Sequence, residues 1–156
     1  MQHRLARFAG DCRAAAAAEM ALMLPLLMAL LFGSLEAGHF FLREHQIVKA
    51  AREGARFAGR QPMDAFDCAG QAVDEDAAAR VATLIEETVA GNPTVEVDVA
   101  PCIEGSATGL YVDQANGAPI AIVSVTMEYP SLFASLGFAT SSLTLHARAQ
   151  AAVMGM

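Results

Sequence analysis

Between Ala14 and Leu35 the chain carries one charged side chain, Glu19, and from Met20 to Leu35 it carries none. About 20 helical residues, at a 1.5 Å rise, cross the roughly 30 Å hydrocarbon layer of a bilayer. Helices suit that layer because they satisfy their backbone polar groups internally. The run therefore predicts a transmembrane helix over residues 15–42, with Phe40, Phe41 and Leu42 continuing into the far interface. Charge is divided around it: residues 1–13 are net +2, residues 14–42 net −2 and residues 43–156 net −7. Arginines before the span and an acidic excess after it point the N-terminus into the cytoplasm by the positive-inside rule. A cleaved secretory signal, with a small-residue site near Leu35-Glu36-Ala37, is the competing reading. In both cases the body leaves the cytoplasm. With 54 % hydrophobic residues the chain is too apolar for disorder, and its net charge of −7 excludes the basic stripe of a non-specific nucleic-acid binder.

Two residues inside the span ask for a reason. An ionised carboxylate within a span costs on the order of 3 kcal/mol on insertion scales. Glu19 either lies near enough to the cytoplasmic face to reach water, five alanines from Arg13, or it meets a cationic partner within the membrane. Pro25 removes one helical hydrogen bond, which either bends the helix near Ala21 or is absorbed as a neutral irregularity.

Beyond the span, helical periodicity continues over residues 43–60. Ile47, Ala51, Ala55 and Ala58 fall on one face, and Lys49, Arg52, Glu53, Arg56 and Arg60 on the other. Lys49 and Glu53, four apart, suit an ion pair worth a few tenths of a kcal/mol. The alanine stripe permits close approach of another helix, or packing on the protein's own body, the latter expected at its outer end. Residues 61–156 read as a small α+β domain. Ala77, Val81, Leu84, Ile85 and Val89 recur at helical spacing within Ala69–Ala90, and Gly91-Asn92-Pro93 stops that helix. Its acidic start, Asp74-Glu75-Asp76, complements the helix dipole, and the glycine and closing glutamate of a calcium loop are missing. Thr94–Ala100, Ile120–Tyr129 and Ser142–Gln150 alternate as strands with one apolar face each, and Leu110–Asp113 before the Asn116-Gly117 turn is a candidate fourth. The expected architecture is an antiparallel sheet of three to four strands packed with one helix, carried on a long N-terminal helix. Cys68 and Cys102 both lie outside the membrane, where an oxidising compartment favours a disulfide worth about 4 kcal/mol for a loop of that length. Cys12 falls in the leader.

The run Arg13-Ala14-Ala15-Ala16-Ala17-Ala18-Glu19-Met20-Ala21-Leu22 resembles the TadE-like family, small pseudopilin-like proteins of the tight-adherence (Flp) pilus system. So do Leu24-Pro25-Leu26-Leu27, Phe32-Gly33-Ser34-Leu35-Glu36 and Ala50-Ala51-Arg52-Glu53-Gly54-Ala55-Arg56-Phe57-Ala58. The resemblance returns more loosely in Val123–Pro130 and Leu143–Ala149. It implies a prepilin-type precursor, cut by a membrane aspartyl peptidase between Ala14 and Ala15, with Glu19 as the fifth residue of the product. The family usually has Gly before the cut, where this chain has Ala14. Cleavage leaves a positive α-amine at Ala15, about one helical turn from Glu19. In a staggered stack of parallel helices, Glu19 of one subunit then meets the amine of the next, which sets register by pairing two otherwise costly charges.

The four histidines are scattered, and no zinc spacing, phosphate loop or G-x-S-x-G elbow is present in the sequence. Neither an enzyme, a metal nor a cofactor is expected. The sequence reads as a bitopic inner-membrane protein with residues 1–14 as cytoplasmic leader and a periplasmic body. The resemblance implies pilus subunits, other pseudopilins and platform proteins as partners, with Glu19, Pro25, Ala51, Ala55 and Ala58 in helix packing. An anchored periplasmic binding module, and a hydrolase-like protein released by signal peptidase, are the rival readings.

Overall fold

The computed structural model describes residues 12–101, 119–135, 137 and 143–155. Its first element, helix α1 (Cys12–Ala58), joins the apolar run and the amphipathic stretch in 47 continuous residues, passing through Pro25 without interruption. Two compact units divide between His39 and Phe40. In the first unit, large apolar side chains point outward all round the helix, among them Leu22 (78 % exposed), Leu27 (60 %) and Leu30 (64 %). A helix hydrophobic on every side has no face meant for water, and α1 is long and apolar enough to cross a membrane.

In the second unit the same helix becomes one-sided. Ile47, Ala50, Ala51, Ala55 and Ala58 are buried, while Lys49, Arg52, Glu53 and Arg56 are exposed. The Lys49 and Glu53 side chains stand 3.7 Å apart on that open face. Helix α1 ends at Ala58, two residues short of the expected Arg60 and before Pro62, where Arg60 N–H donates to Phe57 and Gln61 N–H to Ala58, the three-residue closure of a last turn.

A 3-10 turn at Met63–Ala65 leads into a two-stranded antiparallel hairpin, β1 (Phe66–Asp67) with β2 (Ala72–Val73). The second helix was expected over Ala69–Ala90; helix α2 covers only Glu75–Thr88. Local side-chain chemistry explains the difference. Asp67 Oδ1 accepts from the Ala69 and Gly70 N–H groups at 2.9 and 3.0 Å, folding residues 67–70 into a turn, and Gln71 takes a φ of 53°. Asp74 then caps α2, its Oδ1 accepting from the Asp76 and Ala77 N–H groups, both at 3.1 Å.

The remaining strands are β3 (Thr94–Val99), β4 (Ile120–Glu128) and β5 (Thr144–Ala152), with a single helical turn α3 (Leu132–Ser135) before β5. They form an antiparallel sheet in the order β3-β4-β5. Strand β5 starts two residues later than expected, which leaves Leu143 outside it and 51 % exposed. Leu110–Asp113 and Asn116-Gly117 lie outside the described residues, so three strands make up this sheet among those described.

Register sets the core. Val95, Val125 and Ala147 lie in one row, Val97, Val123 and Ala149 in the next, then Val99, Ala121 and Ala151. This face meets α1 and α2: a Cβ added at Gly54 would stand 2.6 Å from Ile85 Cδ1 and 3.5 Å from Val123 Cγ1. One added at Gly59 would lie 2.8 Å from the Ala152 carbonyl oxygen. Glycine at these two positions lets helix backbone approach sheet and helix more closely than any other residue permits. The opposite sheet face is polar: Glu96, Ser124 and Arg148 form one row and Thr94, Thr126 and His146 another, with Thr126 Oγ1 3.2 Å from His146 Nδ1.

Candidate functional site

The apolar half of α1 concentrates the residues singled out from the sequence. Ala14 and Ala15 lie on the first turns of the helix, and Glu19 follows Ala15 by four residues, one turn along the same face. The Glu19 side chain is exposed, and its neighbours along the face, Leu22, Met23 and Leu26, are exposed as well, at 78 %, 57 % and 58 %. An acidic group therefore sits on an outward-facing apolar surface, not in a pocket folded around it.

The rest of the segment suits a low-dielectric surround. Ser34 donates its hydroxyl to the Leu31 carbonyl at 2.7 Å, so that polar group is satisfied within the helix. Gly33 and Gly38 have nothing within 4 Å of the place a Cβ would occupy. Pro25 is exposed on the helix surface. Among the described residues, packing thus does not demand Gly33, Gly38 or Pro25.

The alanine stripe behaves differently. Ala51, Ala55 and Ala58 are 0 %, 1 % and 0 % exposed within the chain's own core. They face the chain's own core, the packing on its own body expected for the outer end of the stripe, beside Gly54, where an added Cβ would meet Ile85 and Val123. Of the expected helix-packing residues, Glu19 and Pro25 are outward-facing and these three are inward-facing.

Cys68, just after β1, is buried at 8 % exposure and is not without a partner. Cys102 lies outside the described residues. Among the described residues no group of three His, Cys, Asp or Glu is gathered to hold a metal ion.

Sequence periodicity alone missed how the body closes on the helix. Phe40 meets Tyr129 edge-on with ring centroids 5.2 Å apart, and also Phe41 at 5.9 Å. Arg43 Nη1 reaches the Ala90 carbonyl at 3.5 Å and Gln46 Oε1 at 3.1 Å. The aromatic pair at the start of the body, Phe40-Phe41, was the available signal.

Residues 14–56, 43 of the 156, match the family model described as TadE-like protein, as the sequence motifs led us to expect. The match takes in the apolar half of α1 and most of its buried half, and stops before Gly59. It points to a role associated with the Tad/Flp pilus system and, with the apolar helix, to a membrane-anchored chain. No curated protein and no solved structure matches the chain.

Proposed function

From this TadE-like membrane segment, we propose that the protein is a minor pilin-like or accessory component of tight-adherence pilus assembly and secretion. It acts by helix–helix association in the bacterial inner membrane, with its N-terminus in the cytoplasm and its body in the periplasm. The observation that carries the reading is Glu19: an acidic side chain exposed on an apolar helix surface, within the segment that matches the family. A carboxylate in that position gains most when a neighbouring chain brings a positive charge, because the pair loses much of the desolvation cost each ion bears alone.

The positive charge is the α-amine of Ala15, released when a prepilin-type peptidase hydrolyses the Ala14–Ala15 peptide bond. Partners are then pilus subunits, other pseudopilins and the platform proteins of the same system, with the peptidase as a transient one. We also propose a Cys68–Cys102 bridge that braces the body in an oxidising periplasm. The buried, partnered state of Cys68 supports it.

The test is made in cells that carry the pilus system. Glu19→Ala is expected to abolish pilus assembly while leaving the protein in the membrane at normal abundance, and Glu19→Gln to do the same. Intact-mass analysis of the extracted wild-type protein is expected to show a chain beginning at Ala15. Normal assembly by Glu19→Ala would leave the anchored binding module as the better reading.

A further inference from the structure

The described residues of the second unit keep five large apolar side chains exposed: Phe41, Leu42, Leu132, Leu143 and Met154. Four of them are gathered at one end. Phe41 and Leu42 follow Phe40, whose ring rests on Tyr129. Tyr129 N–H donates to the Leu143 carbonyl at 2.7 Å, and the Ser131 N–H turns back to the Tyr129 carbonyl at 3.0 Å, bringing Leu132 just beyond. Their exposures are 57 %, 55 %, 41 % and 51 %. The sequence from Tyr129 to Leu145 contains no Asp, Glu, Lys, Arg or His, within a body that is otherwise acidic. At the other end of the sheet Gln150 is exposed on β5, Gly59 lies against Ala151 and Ala152, and Met154 is the one exposed large apolar side chain among the described residues there.

We propose that this end of the body is a lipid-contacting surface, in which Leu132 and Leu143 enter the bilayer interface beside Phe41. The occupant is the membrane the helix itself crosses. Continuity argues for lipid over a second protein, since the chain passes from the apolar run into Phe40-Phe41 within six residues of Leu35. An apolar edge held beside a membrane span by covalent connection meets lipid at high effective concentration before it meets any diffusing partner. Aromatic rings flanked by leucines, and an absence of charge, are the composition that partitions to the headgroup–acyl boundary. The exposed apolar cluster is then a surface with a function, not a solubility defect. Contacts at Phe41 on the helix and at Leu132 and Leu143 restrict how the body tilts over the bilayer. That sets the angle at which the body is presented to assembly partners. The inference rests on the membrane-anchored reading and on nothing in the pilus assignment.

The chain contains no tryptophan, so a single introduced one reports alone. Full-length Leu27→Trp, Leu132→Trp, Leu143→Trp and Gln150→Trp are each reconstituted into phosphatidylcholine vesicles, with and without brominated acyl chains. Leu143 immediately precedes β5 and Gln150 lies on it, roughly 23 Å away. Bromolipid is expected to quench Leu132→Trp and Leu143→Trp to a degree comparable with Leu27→Trp, and to leave Gln150→Trp unquenched. If Leu27→Trp is quenched while Leu132→Trp and Leu143→Trp behave like Gln150→Trp, the lipid surface is overturned and the membrane anchor stands. Blue-shifted but unquenched emission at 132 and 143 overturns it in favour of a protein partner. An unquenched Leu27→Trp overturns the membrane-anchored reading itself.

Discussion

Helix α1 is one element with two solvents. At Leu22, Leu27 and Leu30 its side chains are more than half exposed, whereas at Ile47, Ala51 and Ala55 residues no more apolar are essentially inaccessible. Side-chain size and the pattern of charge differ between the halves. In the first, leucines and methionines circle the helix and nothing among the described residues covers them. In the second, alanines and glycines form a narrow stripe, charged residues fill the other side, and Ile85 and Val123 close upon the stripe. Hydrophobicity alone therefore says little about where a helix segment goes; its angular distribution and side-chain bulk decide between lipid and core.

That contrast is open to direct attack. The largest effect is expected from truncating a core residue: Ile85→Ala should destabilise the body by about 2–5 kcal/mol. The equivalent Leu27→Ala should leave the body's denaturant midpoint unchanged. Equal losses in chemical unfolding of the two variants would erase the distinction. Next, Leu27→Arg should cost about 3 kcal/mol in membrane insertion and shift the protein toward carbonate-extractable material. Arg52→Leu, on the open charged face, should not alter insertion.

Smaller effects sharpen the comparison. Gly59→Ala places a methyl group against the Ala152 carbonyl, so a loss of about 1–3 kcal/mol is expected in thermal or denaturant unfolding. Gly33→Ala, with open space around it, should be neutral in the same measurement. Least of all, Asp74→Ala should cost about 1 kcal/mol through loss of the α2 cap, seen as a lower midpoint with unchanged far-ultraviolet signal outside that helix.

Much of this was legible in sequence because periodicity is a direct image of environment. The faces of residues 43–60 and the inward valines of Thr94–Val99 follow from spacing alone. What spacing misjudged depended on single hydrogen-bonding side chains. Asp67 and Asp74 convert the expected first turns of the second helix into a hairpin and a cap, a local competition that helical periodicity does not register. The site was legible only in part. Glu19 declares itself as an isolated charge in an apolar run, but the alanine stripe reads alike whether it packs on its own body or on a neighbour. That Ala51, Ala55 and Ala58 are buried within the body shows only in the tertiary structure. Likewise Leu132 and Leu143 lie in ordinary apolar sequence until Tyr129 brings them beside Phe40.

The outward-facing carboxylate is the point on which the functional reading turns. Met23 lies one turn beyond Glu19 on the same exposed face. A photo-crosslinking amino acid placed at Met23 and activated in native membranes reads what that face touches. An assembling helix should yield adducts with the N-terminal helix of another chain of the pilus system, and Glu19→Ala should abolish them. Adducts with lipid alone, unchanged by Glu19→Ala, would contradict assembly through this face.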